Sequence, residues 1–410
     1  MKISAEPFKN PPKLREIYLL LEQREVERRT KTLKKSDGHP YTAKVAQLAI
    51  NRLKNRSVLI LINSDIYPYD TNRLLLAAPI HGNDYINASW ISEPVFPLPS
   101  QLPNLPHNHH PLHQQPWIAA QVSQIKKEKK TVGPLPETCY EFFSLCLDPD
   151  PARRPRVIIQ LTAWQEGGRE KCACYLPGEV GGNLEFRAYQ AIHVGQSSRN
   201  PAVEKFRWAS PESTGDRRVR VTLESSEVGP VQSPGGTSFY RKNSLLVELQ
   251  SSGDAMAQQA GEILSQARVV HYECIAWPDQ GVPDSVQPIL ELIASAKAAA
   301  ILDPNDPSPS RSPILVHCSA GVGRTGTLIT IASCSTYLHI RHSVSPHTPI
   351  VHLQPPHAFL EPGRITSLTS SLEGDLVAYT VDFLREQRVC MVQTEAQLGF
   401  VYQALAESLA

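Results

Sequence analysis

The sequence predicts an α/β fold, and three observations carry that prediction. Ile314-Leu315-Val316 is a short apolar, β-branched run that reads as a buried strand, and Leu328-Ile329-Thr330-Ile331-Ala332 just downstream reads as a buried helix. Similar apolar runs recur over 156–162, 240–249 and 269–276, interleaved with helical stretches over 139–147, 284–302 and 375–388. With 410 residues and 41% hydrophobic content, the chain is also long and apolar enough to bury a sizeable core.

Composition narrows the function. A net charge of +1 argues against a nucleic-acid partner or an acidic membrane surface. No opening apolar run precedes a small-residue cleavage site, and no segment approaches ~18 uninterrupted apolar residues, so neither secretion nor membrane insertion is expected. The eight cysteines are scattered through apolar segments without the spacing of a disulfide framework. Cys172-Ala173-Cys174 has no second ligand pair at a matching distance, so no metal or other cofactor is expected. Buried thiols in a reducing compartment fit best, which places the protein in the cytoplasm or nucleus.

The chemistry concentrates between the strand and the helix. Gly321, Gly323 and Gly326 permit tight turns and close backbone approach, so the N–H groups of Ser319, Ala320, Gly321, Val322 and Gly323 can converge in front of the helix N-terminus. Such a loop is an anion cradle. Backbone dipoles and Arg324 favour negative charge at Cys318, which would make it a thiolate nucleophile. The planar fork of Arg324 matches the equatorial oxygens of a phosphoryl group, and the Thr325 hydroxyl can donate to the sulfur.

Together, His317-Cys318-x-x-Gly321-x-x-Arg324-Thr325-Gly326 resembles the signature of the protein tyrosine phosphatases. The resemblance implies a single catalytic domain over 1–410, built as a highly twisted mixed sheet flanked by helices on both sides. It implies catalysis through a cysteinyl-phosphate, with phosphotyrosine-containing proteins as substrates.

Taken in order, residues 1–55 carry helical periodicity, with Leu14, Ile17, Leu20 and Leu21 on one face and the charged run Glu22 to Arg29 expected in solvent. A second helix is expected over 42–53. Lys54-Asn55-Arg56, then 65–74, then 83–91 resemble the family's substrate-recognition loop and the strand after it. Asp65 matches the aspartate that binds the substrate backbone, whereas Ser57 stands where the family has the aromatic that stacks on phosphotyrosine. That substitution leaves two alternatives open: a phosphatase of dual or broader specificity, or a phosphotyrosine-binding module with impaired catalysis.

Residues 92–116 are rich in proline and histidine and read as an exposed loop rather than a metal site. Flexible insertions are expected there and at 122–132, 178–237 and 339–372. Within 164–177 the resemblance assigns Glu166 to brace Arg324, and Lys171 to contact the mobile acid loop. That acid loop is Trp277-Pro278-Asp279-Gln280-Gly281-Val282-Pro283, in which two prolines and a glycine mark a loop, Trp277 is a hinge and Asp279 is the general acid. Finally, residues 390–405 match the closing family segment, where Gln393, with Gln397 beside it, orients the hydrolytic water.

Overall fold

The computed structural model describes residues 10–33, 43, 60–61, 66–80, 83–94, 114–121, 125–126, 138–166, 169–170, 172, 174–187, 189–190, 207–208, 217–229, 238–251, 261–274, 276–278, 281–303, 310–344 and 375–408. Nine strands form its main sheet: β1 (Arg73–Ile80), β2 (Asn83–Ile91), β3 (Trp117–Ala120), β4 (Val157–Gln160), β5 (Asn183–Arg187), β6 (Arg217–Val228), β7 (Tyr240–Ser251), β8 (Ile263–Cys274) and β9 (Ile314–His317). Across the sheet they run β1-β2-β3-β9-β4-β8-β7-β6-β5. The central four, β3, β9, β4 and β8, are mutually parallel, and the outer strands pair antiparallel. The sheet is therefore mixed, as expected.

Among the described residues six helices cover it: α1 (Pro11–Leu33), α2 (Cys139–Ser144, extended by a 3-10 turn Leu145–Leu147), α3 (Gln287–Ala299), α4 (Gly323–Val344), α5 (Leu376–Arg385) and α6 (Glu395–Glu407). Ile314 and Val316 pack among side chains from α1, α3, α4, α5 and α6, whereas Leu315 points into the second core beside Phe142 and Phe143 of α2. Because both faces are covered, the central strands carry no polar alternation. Functional loops then gather at the carboxyl ends of the parallel strands, in front of the α4 N-terminus.

Four expectations need correction. The stretch 178–237 is not an insertion throughout, since it contributes β5 and the twelve-residue β6, whose Val219 and Val221 are buried. Residues 339–344 extend α4 rather than opening a loop, and Ile125–Lys126 within 122–132 pairs with Ile60–Leu61. The charged run of α1 is solvated on one face only: Glu27 is exposed, whereas Arg24, Glu25 and Arg28 are 7%, 3% and 0% exposed. They are buried because α5 supplies partners, with Arg24 forking onto Asp382 at 2.9 and 2.7 Å, and Arg28 bound to Asp382, to Glu386 at 2.7 Å and to Glu25 at 3.3 Å. Burial opposes the charge on Asp382, but Arg28 and Arg24 outweigh it and hold its carboxyl below the usual range. The proposed helix over 42–53 and the histidines of 107–113 lie outside the described residues, apart from buried Ala43.

Candidate active site

Strand β9 ends at His317 and α4 begins at Gly323, so Cys318 to Val322 span the gap, with Cys318 only 2% exposed. Each of the three glycines in this region answers a separate steric demand. Gly321 adopts φ +68°, and a Cβ there would collide with the Ala120 carbonyl at the end of β3. A Cβ on Gly323 would stand 3.1 to 3.2 Å from the amide heads of Gln393 and Gln397, and one on Gly326 would come within 2.5 Å of the Val392 nitrogen. Hence the cradle and the glutamine-bearing loop, far apart in sequence, pack backbone to backbone. The Val392 N–H donates to the Val322 carbonyl at 3.2 Å and closes that contact.

Arg388, which sequence reasoning missed, holds the cradle from behind. Its Nε donates to the Gly321 carbonyl at 3.0 Å and its Nη2 to the Ala320 carbonyl at 3.4 Å, while Ser89 Oγ and Asn87 Oδ1 accept the remaining bonds at 3.0 Å each. Because these peptides are trans, drawing the Ala320 and Gly321 carbonyls onto Arg388 turns the N–H groups of Gly321 and Val322 the opposite way. Burial pulls the guanidinium down to about 10, still cationic at neutral pH, with Tyr85 and Cys318 among the neighbours that favour its charge. Among the described residues no carboxylate stands within ion-pair distance of it. An arginine at the end of a helix carries no local signal of this role, since its partners come from β2 and the cradle.

His317 is fixed by a hydrogen-bonded cluster beneath the sheet. The Tyr175 hydroxyl lies 2.8 Å from Gln160 Oε1, His271 Nε2 and His317 Nε2. Gln160 is oriented by its Nε2, which donates to the Thr162 carbonyl at 2.8 Å, so its Oε1 can only accept. The single hydroxyl of Tyr175 thus ties Gln160, His271 and His317 into one cluster. Burial pushes both histidines down to about 3, which keeps them neutral. The Thr325 hydroxyl is buried and meets no hydrogen-bond partner among the described residues, so the bond expected to sulfur is not formed here.

Arg324 is 2% exposed, and its Nη1 donates to the Trp277 carbonyl at 3.0 Å. Trp277 is itself buried, its indole N–H donating to Gly281 O at 3.2 Å across the base of the acid loop. Arg324 and the base of the loop after β8 are thus directly joined. On the far side, Gln397 Oε1 accepts from the backbone of Gln393 at 2.9 Å and Thr394 at 3.3 Å, and Thr394 Oγ1 caps α6 in return. Gln393 is exposed and Gln397 buried, and both lie against Gly323.

The remaining assigned residues divide. Asp279, Asp65, Lys171 and the side chain of Glu166 lie outside the described residues, although the Glu166 backbone pairs with Arg169 in a two-residue hairpin strand. Tyr67 and Tyr69, in the segment 65–74, are buried with their rings edge-to-face at 6.4 Å. All eight cysteines are free thiols, and burial pushes Cys146, Cys274 and Cys334 up to about 12, which leaves them inert. Among the described residues no group of histidine, cysteine and carboxylate side chains could hold a metal, and no helix is long and apolar enough to cross a membrane.

Known proteins converge on this arrangement. The human tyrosine-protein phosphatase non-receptor type 4 is 26% identical over 365 residues, which is 89% of this chain and 26% of that protein. The rat receptor-type tyrosine-protein phosphatase C is 28% identical over 369 residues, covering 90% of this chain and 19% of that protein. Tyrosine-protein phosphatase 1 of Saccharomyces cerevisiae is 28% identical over 360 residues, covering 86% of this chain and 82% of its own length. The chain thus spans about a quarter of the first of these relatives and about a fifth of the second. The protein-tyrosine phosphatase family model matches residues 51–223 and 240–354, a span that includes the cradle, the acid loop and the strands behind them, and the chain belongs to that family.

Proposed function

We propose that this protein hydrolyses phosphotyrosine in proteins through a cysteinyl-phosphate intermediate, acting in the cytoplasm or nucleus. The observation that carries the reading is Cys318, set at the mouth of a parallel strand before the N-terminus of α4, with Arg324 the second residue of that helix and Arg388 behind the loop. In the first step the sulfur attacks phosphorus while Asp279 protonates the departing phenolate oxygen. Arg324, braced by Glu166, and the cradle amides stabilise charge on the equatorial oxygens. Lys171 contacts the acid loop, and Asp65 holds the substrate backbone. In the second step Gln393 and Gln397 orient a water whose proton passes to the Asp279 carboxylate. The thiolate is itself the nucleophile, so the chemistry calls for no metal or cofactor.

A second reading, broader specificity, is favoured by Ser57 in place of an aromatic wall. An aromatic-lined pocket selects the long phosphotyrosine side chain by depth, and its loss would admit phosphothreonine. Purified protein is assayed with p-nitrophenyl phosphate, then with phosphotyrosine and phosphothreonine peptides. Wild type should release p-nitrophenol, Cys318→Ser should bind phosphotyrosine peptide without releasing phosphate, and Asp279→Ala should lower kcat with little loss of binding. Inactive wild type that still binds phosphotyrosine peptide would favour the binding module, and equal rates on both peptides would establish broad specificity.

A further inference from the structure

The water-orienting glutamines stand on a loop whose backbone is strained. Cys390 and Val392 have φ of 58° and 59°, a left-handed conformation that is unusual for a non-glycine residue and more so for a β-branched one. Such a loop persists only where its surroundings over-determine it. The restraining contacts come from α1 and α5. Glu25 Oε1 accepts the Cys390 N–H at 3.2 Å, and the Tyr18 hydroxyl donates to the Gln393 carbonyl at 2.9 Å. Arg385 donates to the Met391 and Val392 carbonyls at 2.8 Å each, and is anchored by Glu22 of α1 at 2.9 Å. Glu25 is held in turn by Arg28, which spans to Glu386.

We propose that α1 is the template for this loop, and that Tyr18 and Glu25 are positioning residues for hydrolysis of the phosphoenzyme, acting through the backbones of Gln393 and Cys390. The inference rests on the phosphatase reading above and deepens it. In the step concerned, a water oxygen forms a bond to phosphorus as the S–P bond breaks. The bonding pair returns to Cys318 as thiolate, and the water's proton goes to Asp279. Formation of the phosphoenzyme uses Cys318, Arg324 and Asp279, whereas the contacts from α1 to this loop fall on the backbones of Cys390 and Gln393. Loosening the template should therefore slow the second step and spare the first.

Rapid-quench kinetics with p-nitrophenyl phosphate separates the two, reading p-nitrophenol for formation of the intermediate and inorganic phosphate for its decay. Tyr18→Phe and Glu25→Ala should slow phosphate release by roughly five- to tenfold, the scale of one lost hydrogen bond, and leave the p-nitrophenol step within about twofold. The phosphoenzyme then accumulates, kcat falls and kcat/KM holds. Glu25→Gln keeps an acceptor for the Cys390 N–H and should recover most of the rate. Tyr18→Phe preserves the ring and its packing, so it carries the test even where Glu25→Ala does not fold. An unchanged decay step in Tyr18→Phe, or both steps slowed equally with a lowered Tm, overturns the inference while the phosphatase reading stands. Wild type that releases no p-nitrophenol sinks that reading and takes this inference with it.

Discussion

The cradle and the N-terminal helix both press on the glutamine-bearing loop, and they do so by opposite means. From Ile314 to Gly326 the cradle is contiguous: strand, nucleophile, turn, arginine and helix start follow one another, and its glycines leave room for neighbouring backbone. The helix instead works through side-chain charge across the whole chain, with Arg24 meeting Asp382 at a separation of 358 residues. The first device is local geometry that anticipates an anion. The second is a buried ionic network with no ligand of its own, whose purpose is to fix where another segment lies.

That contrast predicts different failures. Arg28→Ala strips the fully buried guanidinium from Asp382, Glu386 and Glu25, and removing one partner of such a cluster costs about 3–5 kcal/mol. Urea unfolding measures this directly, and a loss below about 1 kcal/mol would mean that the network behaves like a surface pair. Gly321→Ala should do the reverse. It drives a Cβ into the Ala120 carbonyl and displaces the loop that Arg388 holds, lowering turnover on the order of a hundredfold with a smaller change in stability. Near-wild-type kcat in that variant would show that the cradle tolerates repositioning.

A third effect concerns acid. His271 and His317 have folded pKa values of about 3, depressed by burial, so the unfolded chain binds protons that the native one excludes. Their contribution is complete above the unfolded value of about 6.5 and is lost as pH falls toward 3, with a slope on the order of 1 kcal/mol per pH unit for each histidine. Comparing urea midpoints at pH 7 and 4.5 for wild type and His271→Gln tests it. If removing this imidazole leaves the pH dependence as steep, the cluster under the cradle is not what makes the fold acid-labile.

How much of this could be read from residues follows from how far each interaction reaches. Cys318, Arg324 and their glycines were legible because their chemistry needs fixed spacing along one turn of chain. The capping of α6 by Thr394 and Gln397 is equally local. Arg388 and Tyr175 were not legible. An arginine after a helix and a tyrosine in a cysteine-flanked turn acquire roles only from Gly321, Gln160 and His271, which the sheet brings to them. The charged run of α1 misled for the same reason: Glu22 to Arg29 resembles any solvated helix face until Asp382 and Glu386 stand opposite.

By itself, then, the sequence determined a glycine-bearing turn between a buried strand and a buried helix, because hydrophobic runs and glycine positions act within a few residues. Which charges are buried, which backbone carbonyls a hidden arginine draws away, and how a strained loop is pinned to the N-terminal helix were decided only by tertiary structure. Desolvation and pairing depend on what lies across the interface, and no stretch of chain carries its own neighbour.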